Sequence, residues 1–298
     1  MSTSSQPGLR LGLISLIVVA AGFLLLFVFG PDRVGSIPAS EAPAPSQTPL
    51  AVLDDGATQL ALTHLQDVSP ATYSGLEAAA VRAIADGADA QKLSRLVLEA
   101  LFSQFQSQAL TLRSANSDDY QIIIAGLATG LRSLKSNESP WCEGTMIADF
   151  LTQNDDELVP ALLDEFTYMS PQYEWAMGWM ATILTAIETG RNISQPHARP
   201  NFRDEAVLQQ EGLALGSEQW ALALQIAAFA NAEGTSYAQM REVIAGMDVC
   251  DLGIAVETVS GRLPSDVKER IWGDLMPEIM VGNTPYVIWR VTDYFFIG

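Results

Sequence analysis

The segment from Leu11 to Gly30 is an uncharged run of 20 residues in which Ser15 is the only polar side chain. As an α-helix this run would be about 30 Å long, which is the thickness of the hydrocarbon core of a bilayer. A signal peptide has a shorter apolar region that ends in a pair of small residues at its cleavage site. This run ends in Phe27, Val28 and Phe29, so the sequence favours an uncleaved transmembrane anchor, with a cleaved signal as the alternative.

The residues after this run are rich in Pro, Ala and Ser, with prolines at positions 31, 38, 43, 45 and 49. Such a composition gives an extended, stiff linker that cannot build a hydrophobic core. The sequence therefore predicts a short tail (1–10), an anchor (11–30), a linker (31–50) and an acidic helical domain (51–298). Because stalks of this kind commonly follow the anchors of bacterial envelope proteins, we expect the domain to lie outside the cytoplasm, in the periplasm of a Gram-negative source.

Apolar residues in the domain recur at spacings of three and four, which is the period of an amphipathic α-helix. Clear examples are Leu93, Leu96, Val97, Ala100, Leu101, Phe105 and Leu112 in one segment, and Ile122, Ile123, Leu127, Leu131 and Leu134 in another. The pattern predicts an all-α fold that is either an irregular bundle or a degenerate helical superhelix.

Capping residues and glycines mark the expected limits of these helices. Helix starts are predicted at Ser170–Pro171, Ser217–Glu218, Pro264–Ser265 and Thr284–Pro285, and helix ends at Gly190, Gly234 and Gly261. Gly126 and Gly130 form a G-x-x-x-G pattern that predicts close packing of two helices.

The charge balance limits the partners that the protein can bind. The chain has 16 Lys and Arg against 35 Asp and Glu, a net charge of −19, whereas binding to nucleic acid phosphates requires a surplus of cations. Two histidines and two cysteines are too few for a zinc framework, an iron–sulfur cluster or a c-type haem, so no cofactor and no metal site are expected. Acidic pairs such as Asp54–Asp55 and Asp118–Asp119 are expected to complement helix dipoles.

Cys142 and Cys250 are the only cysteines of the chain. A single pair in a domain outside the cytoplasm tends to be oxidised. The sequence therefore predicts a disulfide between them, with two buried free thiols as the alternative.

Aromatic residues are concentrated between positions 168 and 180, among several methionines. The aromatic residues are Tyr168, Tyr173, Trp175 and Trp179. Aromatic and Met side chains at helical spacing are typical of a core, but an exposed fraction of them would suit contact with a partner or ligand. The four residues are therefore candidate contact residues.

One string of residues resembles an enzyme segment. The string from Ile187 to Asn192, which includes Glu188, is similar to the segment that carries the catalytic glutamate of lytic transglycosylases. This resemblance implies a helical, envelope-located enzyme that acts on peptidoglycan, with Glu188 as its general acid. The Gly-Leu-Met-Gln segment that typically follows in that family has no counterpart here.

Taken together, these features favour an anchored interaction or scaffolding domain that lacks an evident catalytic site and binds a protein partner. The alternatives are a peptidoglycan-acting enzyme that uses Glu188 and a ligand-binding module that uses the aromatic segment 168–180. The sequence leaves open whether the protein is an enzyme, and favours the view that it is not.

The anchor leads to a direct prediction. If Leu11–Gly30 is retained, the mature protein keeps its amino terminus and stays with the membrane fraction after a carbonate wash, because the span is buried in hydrocarbon. The measurement is a fractionation followed by mass spectrometry of the intact chain. A mature start near Ser40, with release into the soluble fraction, would contradict it.

Overall fold

The computed structural model describes residues 49–146, 166–193, 195–218 and 245–281, together with positions 242, 283 and 286. Within these residues the chain is a helical globular domain without strands, so the all-α prediction is confirmed. No helix in the described ranges is long and apolar enough to cross a membrane. The predicted anchor Leu11–Gly30 lies outside the described residues.

The described helices are α1 (Gly56–Val68), α2 (Pro70–Ala85), α3 (Ala90–Gln108), α4 (Ser117–Ser136), α5 (Pro171–Asn192), α6 (Phe202–Glu218), α7 (Val249–Arg262) and α8 (Ser265–Met280). Short 3-10 helices cover Pro49–Val52, Ala109–Ser114 and Pro140–Cys142.

Several helix starts follow the capping rules. Ser170 accepts a hydrogen bond from the Tyr173 amide, and Pro171 is the first residue of α5, as the sequence predicts. Helix α8 begins at Ser265 after Pro264, which is also as predicted. The start predicted at Ser217 is wrong, because Ser217 and Glu218 are the last residues of α6. The sequence Ser217–Glu218 is typical of a helix start, but both residues lie in a helix that begins at Phe202.

Helix α5 lies at the centre of the packing. It contacts α1, α4 and the 3-10 helix Ala109–Ser114, while the opposite side of α4 packs against α7. The apolar residues predicted to lie inward on α3 and α4 are largely buried. Ile122 is the exception, since 53 % of its surface is exposed. Ile122 lies on the solvent-exposed side of α4 together with Asp118 and Thr129.

Gly190 does not end its helix, contrary to the prediction, because α5 continues to Asn192. The residue is buried against the 3-10 helix Ala109–Ser114, and a Cβ atom at this position would lie 2.3 Å from the carbonyl oxygen of Thr111. Glycine is therefore needed here for close approach of two backbones, which is a use that the helix-end signal does not distinguish.

The predicted cysteine pair lies at disulfide distance. Cys142 and Cys250 are joined, with their Cα atoms 4.9 Å apart, so the Pro140–Cys142 turn that follows α4 is linked to the first turn of α7. Next to the bridge, the Gly144 amide donates to the carbonyl oxygen of Met247 over 2.8 Å. The disulfide and this hydrogen bond therefore hold the segment that follows α4 against the start of α7.

Replacing both cysteines, as Cys142→Ser with Cys250→Ser, should destabilise the domain. The bridge closes a loop of 108 residues, so the chain-entropy model expects a loss of about 3–5 kcal/mol of unfolding free energy. Urea unfolding followed by circular dichroism measures the loss. Dithiothreitol should lower the stability of the native protein and leave the double variant unchanged. Equal stability of the two proteins without reductant would contradict the prediction.

Candidate functional site

Glu188 lies near the carboxyl end of α5 and its side chain is exposed. A general acid requires burial or a like charge to keep its proton at neutral pH, and an exposed side chain has no such burial. Arg191, next to it in sequence, donates to the carbonyl oxygen of Val68 at the end of α1. The surroundings of Glu188 therefore do not favour the enzyme hypothesis.

Trp175 and Trp179 lie on α5 against the G-x-x-x-G pattern of α4. The indole N–H of Trp175 donates to the carbonyl oxygen of Gly126 over 2.8 Å, and that of Trp179 to the carbonyl oxygen of Ile123 over 2.8 Å. The two rings are stacked, with their centroids 6.0 Å apart. The close packing expected of Gly126 and Gly130 is present, since a Cβ on Gly130 would overlap the Trp175 ring at 2.1 Å.

The four candidate contact residues differ in how much of each side chain is exposed. Trp179 is 5 % exposed and Tyr173 is fully buried, so both belong to the core and neither offers a contact surface. Trp175 is half-buried, and its indole N–H is already used within the domain. Tyr168 is half-buried and lies before the first turn of α5. Tyr168 is therefore the candidate best placed for contact with a partner.

Tyr168 and Tyr173 meet the start of α1 in a polar group that we call the Tyr168–Asp55 cluster, formed by Asp54, Asp55, Thr58, Tyr168 and Tyr173. The two phenol rings pack edge to face, with centroids 5.5 Å apart. The hydroxyls of Tyr173 and Thr58 are 2.8 Å apart, and the Tyr168 hydroxyl donates to Asp54 over 3.4 Å. The cluster therefore joins the amino-terminal ends of α1 and α5.

A hydrogen bond and a left-handed residue fix the backbone around Tyr168, just before α5. Its backbone amide donates to the side-chain oxygen of Gln91 at the start of α3, over 2.6 Å. Met169 follows with a φ of 62°, a left-handed conformation that is uncommon for a residue with a side chain. Met169 is 57 % exposed, so the turn leaves an apolar side chain in solvent beside the cluster.

Asp55 is the buried acid of the cluster. One of its carboxylate oxygens, Oδ1, accepts a hydrogen bond from the Thr58 amide over 2.8 Å and thereby caps α1. The residue is 8 % exposed, and its second oxygen, Oδ2, is buried with no hydrogen-bond partner. Buried carboxylate oxygens are normally paired, because an unpaired one loses its hydration without compensation. Oδ2 is therefore an acceptor that lacks a donor.

The pKa values of both phenols are raised by burial and by nearby acidic side chains. Burial first, and then the charges of Asp55 and Asp54, raise the pKa of Tyr168. Burial also raises the pKa of Tyr173, and the charge of Asp55 adds to this effect. The two phenols therefore stay protonated at neutral pH.

Sequence reasoning found part of this cluster. It identified the tyrosines as candidates and read Asp54–Asp55 as residues that complement a helix dipole, which agrees with the cap that Asp55 provides. It did not join the two groups, because Asp54 and Tyr168 are 114 residues apart and no local pattern relates them. Among the described residues, no group of three or more His, Cys, Asp or Glu side chains is arranged to hold a metal ion.

Comparisons with known proteins add no assignment. No protein-family model matches the chain, and neither the curated proteins nor the solved structures with which it was compared give a match.

The contact between α4 and α5 leads to a stability prediction with an internal control. Gly130→Ala should destabilise the domain by about 1–3 kcal/mol, because the new methyl group displaces the Trp175 ring from α4. Gly178→Ala on α5 should leave stability unchanged or raise it by up to about 1 kcal/mol, since no atom lies within 4 Å of the added Cβ. Thermal unfolding with tryptophan fluorescence compares the two variants. A smaller loss for Gly130→Ala than for Gly178→Ala would refute the packing argument.

Proposed function

We propose that Leu11–Gly30 holds this protein in a membrane and that the helical domain outside the cytoplasm binds a basic protein partner. The apolar run and its Pro-rich linker support the anchor. The cysteine pair supports an oxidising compartment, because disulfides persist outside the cytoplasm and are rare within it.

The charge of the amino-terminal helices supports a basic partner. Residues 49–108 hold seven carboxylates and three Lys or Arg side chains. Asp54, Asp67, Asp86 and Asp89 are exposed there. A surface with this excess of one sign attracts a partner of the opposite sign and speeds its association.

The observation that carries the proposal is the Tyr168–Asp55 cluster. It combines an exposed carboxylate (Asp54), a half-buried aromatic ring (Tyr168) and a buried carboxylate oxygen without a donor (Asp55). Aromatic rings beside desolvated polar groups are the features that contribute most to binding in protein interfaces. We therefore place the centre of the contact surface at this cluster.

We also propose that the helices form an irregular bundle and not a degenerate superhelix. In a superhelix each unit contacts mainly its neighbours in sequence. Helix α5 instead packs against α1 and α4, and α1 lies more than 100 residues before it in the chain. This arrangement supports a single shared core.

Photo-crosslinking tests the proposed contact surface. Tyr168 is replaced by p-benzoylphenylalanine in the full anchored chain, and Ile122, which is exposed on α4, is replaced in the same way as the matched control. A covalent adduct with a basic protein is expected from position 168 and not from position 122. Asp54→Lys should abolish the adduct, whereas Glu188→Gln should leave it unchanged.

Two results would overturn the proposal. One is adduct formation from position 122 alone, which would place the partner on α4. The other is a loss of cellular function in Glu188→Gln while the adduct at position 168 persists, which would favour the enzyme alternative.

Labelling of intact cells with a maleimide tests the compartment, since the domain outside the cytoplasm should react only after reduction and denaturation.

A further inference from the structure

The chain from position 189 to position 203 differs in charge from the rest of the domain. It contains Arg191, Arg199 and Arg203 and no Asp or Glu, whereas the whole chain has 35 acidic residues against 16 Lys and Arg. All three arginines are exposed, and the side chain of Arg199 is 70 % exposed. The stretch begins in the last turn of α5 and ends at the start of α6, so it presents positive charge at one end of the domain.

Two apolar side chains accompany these arginines. Phe202 is 73 % exposed and Leu110 is 72 % exposed, which are the largest exposed fractions among the large apolar residues that the structure describes. The guanidinium carbon of Arg203 lies over the Phe202 ring, 5.7 Å from its centroid. Leu110 precedes Thr111, whose carbonyl oxygen lies against Gly190 at the end of α5. The Arg199–Phe202 surface, as we call it, consists of Leu110, Arg191, Arg199, Phe202 and Arg203.

Buried polar contacts fix the backbone that carries this surface. The His197 amide donates to the carbonyl oxygen of Arg113 over 3.1 Å. Asp204, which is 2 % exposed, binds Arg270 of α8 through both carboxylate oxygens, over 2.8 and 2.7 Å. The segment is therefore held against the 3-10 helix Ala109–Ser114 and against α8, while its arginines stay exposed.

The acidic groups directly behind this surface are buried and face arginines. Asp204 and Asp274 are 2 % and 6 % exposed. Arg270 pairs with Asp204, and Nε of Arg199 lies 4.0 Å from Asp274. Glu188 is the exposed carboxylate next to the stretch in sequence, and the three arginines outnumber it. The outermost charges at this end are therefore mainly positive.

The surface lies far from the Tyr168–Asp55 cluster. Helices α1 and α5 run in the same direction, since Thr58 and Tyr173 meet near their starts and Arg191 donates to the Val68 carbonyl oxygen at their ends. Helix α5 has 22 residues, so the two sites are separated by about 33 Å.

The length of the linker lets either end of the domain face the bilayer. Residues 31–48 join the predicted anchor to the first described residue, just before α1. A Pro-rich chain of this length reaches roughly 55 Å in the polyproline II conformation. This reach exceeds the length of α5, so the tether permits the Arg199–Phe202 surface to turn toward the membrane that holds the anchor.

A bilayer with anionic phospholipids matches the chemistry of this surface. Guanidinium groups bind phosphate oxygens in bidentate pairs, and exposed aromatic and aliphatic side chains enter the headgroup region. Charges farther than about 10 Å from the bilayer are largely screened at physiological salt, so the acidic amino-terminal end, about 33 Å away, does not oppose the contact. With that acidic end toward the bilayer, its carboxylates would be repelled.

We propose that the Arg199–Phe202 surface docks the domain on a bilayer that contains anionic phospholipids. Arg199 and Arg203 bind the headgroup phosphates, and Phe202 and Leu110 enter the interface. This inference rests on the proposed function, since the anchor keeps the domain beside the membrane. Docking in this orientation turns the Tyr168–Asp55 cluster away from the bilayer, where a protein partner can reach it.

Photo-crosslinking to lipid tests this orientation. The full chain, with p-benzoylphenylalanine in place of Phe202, is reconstituted through its anchor into vesicles of phosphatidylcholine, with or without phosphatidylglycerol, and lipid adducts are measured by mass spectrometry. Adducts are expected with phosphatidylglycerol and should be severalfold fewer without it or in high salt, which screens the charges. The same replacement at Tyr168 is the matched control and should give no lipid adduct. Inorganic phosphate should compete no better than chloride at equal ionic strength, because the occupant is the bilayer.

Arg199→Gln combined with Arg203→Gln isolates the charge. Each arginine near an anionic surface strengthens attachment by about fivefold, so the loss of two should lower the adduct yield severalfold. Arg82→Gln, at an exposed position on α2, is the matched control and should leave the yield unchanged. Because Arg199 lies beside the buried Asp274, Arg203→Gln alone gives a second measurement that keeps this contact and should lower the yield by a smaller factor. Thermal unfolding verifies that each variant is folded.

The outcomes separate this inference from the proposed function. Equal yields with and without phosphatidylglycerol, or unchanged yields in both arginine variants, would overturn the docking. If position 168 crosslinks to a basic protein and position 202 gives no lipid adduct, the partner proposal stands and the docking is wrong. If position 202 crosslinks to lipid and position 168 gives no protein adduct, the docking stands and the proposed partner contact is wrong. Adducts of position 202 with a protein in native membranes, without lipid adducts, would assign this surface to a protein and would also overturn the inference.

Discussion

The contact between α4 and α5 supports the rest of the domain. Gly126 and Gly130 leave the backbone of α4 uncovered, so Trp175 and Trp179 of α5 lie directly on it and donate to carbonyl oxygens of that helix. The indoles thus gain apolar burial without leaving their N–H groups unpaired, which a core of this density requires. Because α5 also packs against α1 while α4 packs against α7, this one contact joins the two halves of the described core.

The Cys142–Cys250 bridge strengthens the opposite side of α4. It lies beside the Gly144 to Met247 hydrogen bond, and Lys135 at the end of α4 pairs with Asp248 over 2.9 Å. An exposed pair of this kind contributes little on its own, whereas the covalent link stabilises the domain by restricting the unfolded chain. Trp175 and Trp179 therefore pack on one side of α4, and the disulfide links the turn that follows α4 to α7.

Asp55 in the Tyr168–Asp55 cluster is both a helix cap and a buried acid. Asp55 uses one oxygen to begin α1 and keeps the other buried without a donor.

The sequence alone determined the helical class, the capped start of α5, the start of α8, the inward faces of α3 and α4 and the pairing of the cysteines. These features depend on local periodicity, on capping chemistry or on a single possible pair. Tertiary structure decided the roles of Gly190, Tyr173 and Trp179, and the meeting of Asp54 with Tyr168. A glycine that ends a helix and one that admits a neighbouring backbone look alike in sequence, and aromatic residues at helical spacing can face a core or a partner. Only contacts between segments distant along the chain distinguish these cases, because they alone decide which side chains lose their contact with water.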